Sequence, residues 1–429
     1  MQSVNAKTKL LVVSPVAFAP DWQGSRKRVK QMVEMMERLG FEVHFVFVRG
    51  KDQRDADSAA MSQRLQGRFV ELRDKKSTSR LSPWYLQARI ASKLRLYRFC
   101  NISPDAWYFD EIGHMVKEIV AREGIDVLLV EYPFYSKVLE STPGVLKIID
   151  MHDVFADRYK EFLRNGKRPV PWYSVSRAGE RKSIGRADIV LAIQEDDAAV
   201  FRAYGHPGVV TLSYAPAPVE AVEPRHPGML KVCFLGTGNF FNINALEHYL
   251  QHIHPAILRA GIEYELVVIG AVSEPFRQVR VEGNVTMLGK VAELERELSK
   301  CDALVNSLSA GTGLPIKVLD SLACGLQVLA TPAGARGLPL HRNLGAVRIC
   351  RETQDWVDAV QTLSRKKREG ADLAADARRD LEIIRKDIED ATRNLFALIT
   401  EALPGAATAR QAPSAGRYEE LGNKLPSNV

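Results

Sequence analysis

A chain of 429 residues, 46% hydrophobic and 26% charged, is long enough for two ordinary domains and has the composition of a soluble globular protein. No apolar run approaches the ~18 residues of a membrane-spanning helix, and five scattered cysteines without a CxxC pair exclude a disulfide framework and a cysteine-based zinc site. The net charge of +7 is local: eight cations and one acid, Asp74, lie between Arg73 and Arg98, so the other residues sum to zero.

The first apolar stretch, Leu10 to Ala19, superficially resembles a secretion signal. Pro15 interrupts it, and the Gly24 turn and amphipathic pattern after it read as strand, loop and helix, which suits a cytoplasmic chain. Short β-branched runs then alternate with helical patterns, the mark of βαβ units and parallel sheets. Strands are predicted at Lys9–Ser14, Glu42–Val48, Asp126–Glu131, Leu146–Asp150 and Asp188–Ile193, with a further one at Val209–Ser213. Between the second and third of these, Asp55-Ala56-Asp57 has a metal-binding Asp-x-Asp spacing but lies in a polar helical stretch, and reads as solvated surface.

The segment Arg73–Arg98 interleaves Arg89, Lys93, Arg95 and Arg98 with Trp84, Tyr85, Leu86, Ile90, Leu94, Leu96 and Tyr97. Two readings fit it: a helical excursion packed on the first domain with a basic outer face, or an interfacial element on an anionic membrane surface, which would make the protein peripheral to the inner face of the cytoplasmic membrane. Nucleic acid is not expected as a partner, because no recognised binding motif accompanies the charge.

Tyr214–Gly228 carries four prolines without apolar periodicity and reads as an interdomain linker over residues 216–227. It divides an N-terminal domain (1–215) from a second domain (228–380) in which the alternation restarts. Strands are predicted there at Leu230–Leu235, Tyr264–Ile269, Asn284–Leu288, Ala303–Leu308, Gln327–Thr331 and Ala346–Cys350. Two Rossmann-like domains facing a central cleft are the expected α/β architecture. A C-terminal helix over 381–403 is expected to pack back on the first domain, and the Ala-, Gly-, Pro- and Ser-rich tail 404–429 to be disordered.

The strongest chemical signal is Ser309–Leu338. A predicted strand runs into a glycine loop, Gly311-Thr312-Gly313, and a helix begins near Pro315. Such a loop and helix N-terminus make a good diphosphate site. Lys317 adds a point charge one turn in, and the Asp320 carboxylate can accept both hydroxyls of a ribose. The next strand ends in Thr331 and a second loop, Pro332-Ala333-Gly334.

This pattern resembles the donor-site signature of nucleotide-sugar glycosyltransferases of the GT-B fold, in particular the large retaining family numbered four, common in bacterial polysaccharide and glycolipid assembly. It carries over onto Gly311, Gly313, Lys317, Asp320, Ala323, Gly325, Thr331 and Gly334. Gly236-Thr237-Gly238 with Asn242 is similar to the loop that approaches the donor phosphates, Gly270 and Gly289 to the strand ends that cradle the nucleobase, and Gly24-Ser25-Arg26 to the opening loop near phosphate and acceptor. The family's first glutamate has no counterpart, since Thr312 stands eight residues before Asp320, and the loop 236–244 lacks the family's Arg and Lys.

His152 and Asp153 follow a predicted strand end. A lone histidine is more often structural, although an imidazole suits proton work; the family has a histidine in a corresponding loop near the reacting sugar. In a retaining reaction His152 would position the sugar, and in an inverting one His152 or Asp153 would be first candidates for general base. The resemblance thus implies transfer of a sugar from a nucleotide-sugar donor to a lipid-linked or glycan acceptor, with no metal or other cofactor. A nucleotide-sugar epimerase of the same fold, or a non-catalytic sugar-nucleotide-binding subunit, are the alternatives.

Overall fold

The computed structural model describes residues 7–21, 23–50, 53–73, 83–164, 174–220, 228–311 and 313–403. The chain forms two compact units, Met1–Ser213 with Asp390–Val429, and Tyr214–Glu389.

The first unit is built on seven parallel strands: β1 (Lys9–Ser14), β2 (Glu42–Arg49), β3 (Phe69–Arg73), β4 (Val127–Glu131), β5 (Leu146–Met151), β6 (Ile189–Ala192) and β7 (Val209–Thr211), in the order β3-β2-β1-β4-β5-β6-β7. The middle strands are buried along nearly their whole length, as a sheet covered by helices on both faces requires. This is why they read in sequence as continuous apolar runs. The strand that the sequence hides is β3, a half-exposed edge whose Phe-Val-Glu-Leu-Arg mixes charge into the pattern.

The second unit repeats the plan with β8 (Leu230–Leu235), β9 (Tyr264–Ile269), β10 (Asn284–Gly289), β11 (Ala303–Asn306), β12 (Gln327–Ala330) and β13 (Val347–Ile349), in the order β10-β9-β8-β11-β12-β13 and again all parallel. In each sheet the strand order reverses beside the first strand, at β1/β4 and at β8/β11. Loops leaving the carboxyl ends of such a pair diverge and leave room for ligands. Each unit has its own apolar core, and all five cysteines are buried free thiols.

Two sequence expectations need correcting. Residues 216–220 of the expected linker pack on the second unit: Val219 N–H donates to Ala323 O at 2.9 Å, and Arg385 to Pro216 O at 3.2 Å. Residues 221–227 lie outside the described residues, as does the tail 404–429. The C-terminal segment divided at 380 is one unbroken helix, Leu373–Ala402. Its residues from Asp390 count with the first unit, where Phe396 meets Phe41 edge-on at 6.2 Å.

Candidate functional site

In the second unit, the functional candidates gather at the carboxyl ends of β8 to β12. β8 runs into Gly236-Thr237-Gly238, and Asn239 caps the helix Phe240–His248 by accepting from Asn242 N–H at 2.9 Å. The backbones of three strand ends meet here. Gly236 N–H donates to Ile269 O at 3.0 Å, and Gly270 N–H to Gly289 O at 2.6 Å. Gly270 has φ +99°, and a Cβ on it would stand 2.2 Å from Gly236 O, so only glycine fits.

Lys317 and Asp320 lie on the helix Ile316–Ala323, which follows β11. Thr312 lies outside the described residues; Gly313 has φ +74°, which a glycine adopts without cost. The Lys317 ammonium turns into the β8 loop, donating to Leu235 O and to Asn242 Oδ1, each at 3.0 Å, and lies 5.5 Å from the Phe234 ring centroid. Asn242 in turn donates to Thr237 O and Oγ1. The cation that the β8 loop lacks in sequence is therefore delivered to it by Lys317. Burial pushes this lysine down to about 7. The buried Asp320 carboxylate accepts from Tyr214 Oη at 3.2 Å. Beyond β12, Gly334 N–H donates to Thr331 Oγ1, and the side-chain amide of Asn306 donates to Gly334 O at 2.7 Å.

In the first unit, His152 follows β5 directly, and its Nε2 lies 2.5 Å from Oε2 of Glu131, the last residue of β4. Asp150 is 3.7 Å from the same nitrogen, and both its oxygens are held by Arg28, through Nε and Nη2 at 3.0 Å each. Arg28 also donates to Ser213 O. Glu131, Asp150 and Arg28 are fully buried. Burial, and then the neighbouring Asp150 charge, push the Glu131 carboxyl up, against the lowering effect of His152 and Arg28. Tyr132, at φ 69° and ψ 150°, stacks its ring on the imidazole at 4.1 Å. A non-glycine residue in that region carries backbone strain of about 1–3 kcal/mol. Glu131, Asp150 and His152 each place a ligand atom within 4.8 Å of the others. The 2.5 Å contact between His152 and Glu131 is a hydrogen-bond distance, shorter than the about 3.4 Å between two ligands of a tetrahedral metal with bonds near 2.1 Å.

Other sequence candidates are placed differently. Asp153 is buried and pairs with Arg158 at 3.1 Å, rather than joining the His152 cluster. Gly24 and Ser25 open the helix Gly24–Arg38. Arg26, expected at a phosphate, is buried and forks onto Asp57 at 3.0 and 2.7 Å. Asp57 is accordingly no solvated surface residue, while Asp55 is exposed and pairs with Arg49 at 2.6 Å. Glu180 accepts from Phe155 N–H and from Tyr204 Oη, fixing the turn after His152; burial raises it to about 7.

The basic segment is described from Pro83; residues 74–82 lie outside the described residues. The helix Pro83–Lys93 buries Ala88, Ala91 and Ser92. Trp84, expected at the membrane, packs instead against the first unit's core. The outer side exposes Leu86, Ile90, Leu94, Leu96 and Phe99 beside Arg89, Lys93, Arg95 and Arg98, with Ile90 56% and Leu94 63% exposed. The excursion is packed on one side, and its outer face is apolar as well as basic.

Sequence reasoning passed over Arg28, Glu131, Asp150 and Tyr214. For the two acids a signal existed, a carboxylate closing an otherwise apolar strand (Val-Leu-Leu-Val-Glu, Ile-Ile-Asp).

Residues 230–366 match the family model described as group 1 glycosyl transferases. A D-inositol 3-phosphate glycosyltransferase of Rhodococcus erythropolis is 24% identical over 247 residues, 51% of this chain; the match spans about half (55%) of that relative's length. Among solved structures, the Anabaena protein HepE in complex with UDP and glucose is similar over 92% of this chain and 100% of its own, with a TM-score of 0.58 at 13% identity. Sucrose-phosphate synthase of Thermosynechococcus elongatus aligns over 91% and 100%, with a TM-score of 0.61 at 14% identity. The fold is GT-B, and the family match lies within the second unit.

Proposed function

We propose that the chain is a glycosyltransferase, taking a sugar from a nucleotide-diphosphate sugar held by the second unit and passing it to a hydroxyl of a glycolipid or growing polysaccharide. The convergence of Lys317 on the loop after β8, beside the glycine-lined strand ends, carries this reading. A diphosphate there would meet the Lys317 ammonium and backbone amides at helix N-termini, and Asp320, steadied by Tyr214, would accept the ribose hydroxyls. The UDP named for HepE is the same class of ligand.

Charge on the leaving diphosphate is then stabilised by Lys317 and backbone amides without a metal ion, so transfer is metal-independent. The reaction retains configuration: the leaving phosphate takes the acceptor proton on the same face, and His152 orients a sugar hydroxyl. No helix among the described residues is long and apolar enough to cross a membrane. The exposed apolar and basic face at 86–99 supports attachment to an anionic surface, and with it a location on the inner face of the cytoplasmic membrane. Incubation with UDP-, GDP-, ADP- and dTDP-sugars, with and without crude lipid acceptor and with EDTA, tests the reading. One donor should release its nucleotide faster with acceptor, and EDTA should leave the rate unchanged. Release from none overturns the reading, and a rate lost to EDTA and restored by Mn²⁺ overturns metal independence.

A further inference from the structure

Glu131 is hard to account for as a stabilising residue. Burying a carboxylate is costly unless its oxygens are hydrogen-bonded. Oε1 of Glu131 has no hydrogen-bond partner among the described residues, and Oε2 meets His152. Asp150 beside it is already neutralised by Arg28. The groups facing the imidazole are therefore Glu131 from β4, Asp150 from β5 with Arg28 behind it from the first helix, and the strained Tyr132, stacked on the ring face. All this machinery acts on one nitrogen. The other, Nδ1, has no hydrogen bond among the described residues.

We propose that Glu131 is a positioning residue that holds His152 as the Nε2–H tautomer, so that Nδ1 stands unprotonated as an acceptor for a sugar or polyol hydroxyl. Burial raises this carboxyl, while His152 and Arg28 oppose the rise. In the proposed state Glu131 is the ionised partner: a carboxylate that accepts from Nε2–H fixes the proton there and leaves Nδ1 as a lone pair, whereas a protonated Glu131 would donate to Nε2 and put the proton on Nδ1. Tyr132 fixes the ring plane, and with both constraints the direction of the lone pair is set before a ligand arrives. The assignment of that hydroxyl to the transfer rests on the function proposed above; the tautomer does not.

The test is nitrogen-15 NMR of the imidazole side chains in the full chain at pH 8 without ligand, with His152→Gln to identify the signal. The expected spectrum has a protonated Nε2 and an unprotonated Nδ1. In Glu131→Met, which removes the acceptor, the Nδ1–H form should appear; in Glu131→Gln, whose amide oxygen still accepts, the wild-type form should persist. With a donor sugar in hand, Glu131→Met should lower kcat about tenfold, the loss of one oriented hydrogen bond, with donor KM unchanged, and Glu131→Gln should recover most of it. An Nδ1–H tautomer or a doubly protonated ring in the wild type overturns the inference, whether or not Glu131→Met folds. So does a wild-type tautomer in folded Glu131→Met, or a His152 signal displaced by stoichiometric Zn²⁺. None of these NMR outcomes bears on the donor site, so a failure here is distinct from a failure of the proposed function.

Discussion

The ammonium of Lys317 donates to the side-chain oxygen of Asn242 at 3.0 Å, joining residues 75 positions apart at the head of β8. Lys317→Met should therefore weaken a nucleoside diphosphate by about 1.5–3 kcal/mol, the range for hydrogen bonds to a charged group. The nucleoside alone should bind as before. Equal losses for both ligands would remove Lys317 from the phosphates.

The same lysine makes binding pH-dependent. Burial sets it at about 7 in the free protein, and a diphosphate favours its charged form, raising that value in the complex. Binding then takes up a proton from about pH 7 upward, so affinity falls as pH rises toward 9 and is flat below 7. Calorimetry in two buffers of different ionisation enthalpy measures the uptake, and Lys317→Met should abolish it. No uptake at pH 8 in the wild type would contradict the assignment.

Glu180 gives a stability test. Its folded value of about 7 lies above the ordinary carboxylate value of about 4.3, so the folded state holds its proton longer than the unfolded one. Its contribution is present below about pH 4.3 and is lost as pH rises through 7, by at most about 4 kcal/mol. Glu180→Gln removes this dependence. The Tm of the variant should rise relative to wild type between pH 5 and pH 8; a constant or falling difference contradicts the account.

The exposed face at 86–99 predicts selective vesicle binding. Each cation near an anionic surface contributes about 1 kcal/mol, and screening shortens to ~3 Å in 1 M salt. The protein should sediment with anionic vesicles at low salt, release at 1 M, and ignore neutral vesicles. Substituting Gln for Arg89, Lys93, Arg95 and Arg98 should abolish binding and leave nucleotide affinity intact. Because Trp84 packs inward, the reporter of insertion is Leu94→Trp, whose fluorescence should shift to the blue on binding. Sedimentation with both kinds of vesicle, or with neither, contradicts the assignment.

The alternation of strands and helices was legible because parallel strands buried on both faces, such as Val127–Glu131, leave unbroken apolar runs. β3 was not, because an edge strand tolerates Glu71 and Arg73. The glycine loops and Lys317 were legible because they lie in one contiguous segment with a known pattern. What Lys317 touches was not, since Leu235 is 82 residues away. Asp57 was misread for the same reason: in a polar helix an acid looks solvated, and only Arg26, 31 residues earlier, explains its burial. The cluster around His152 joins Arg28, Glu131 and Asp150 across up to 122 residues, a pairing that strand order creates and linear spacing conceals.

The measurement closest to the central claim is a calorimetric titration of UDP, GDP, ADP and dTDP into the full chain and into Asp320→Ala. Asp320 is buried on the helix after β11 and held by Tyr214, the position proposed for the ribose. One diphosphate should bind at a single site in the wild type, and the substitution should weaken it by about 1.5–3 kcal/mol with the fold retained by circular dichroism. Binding of none of the four, or unchanged affinity in a folded Asp320→Ala, would contradict the assignment of the second unit as the nucleotide-sugar site.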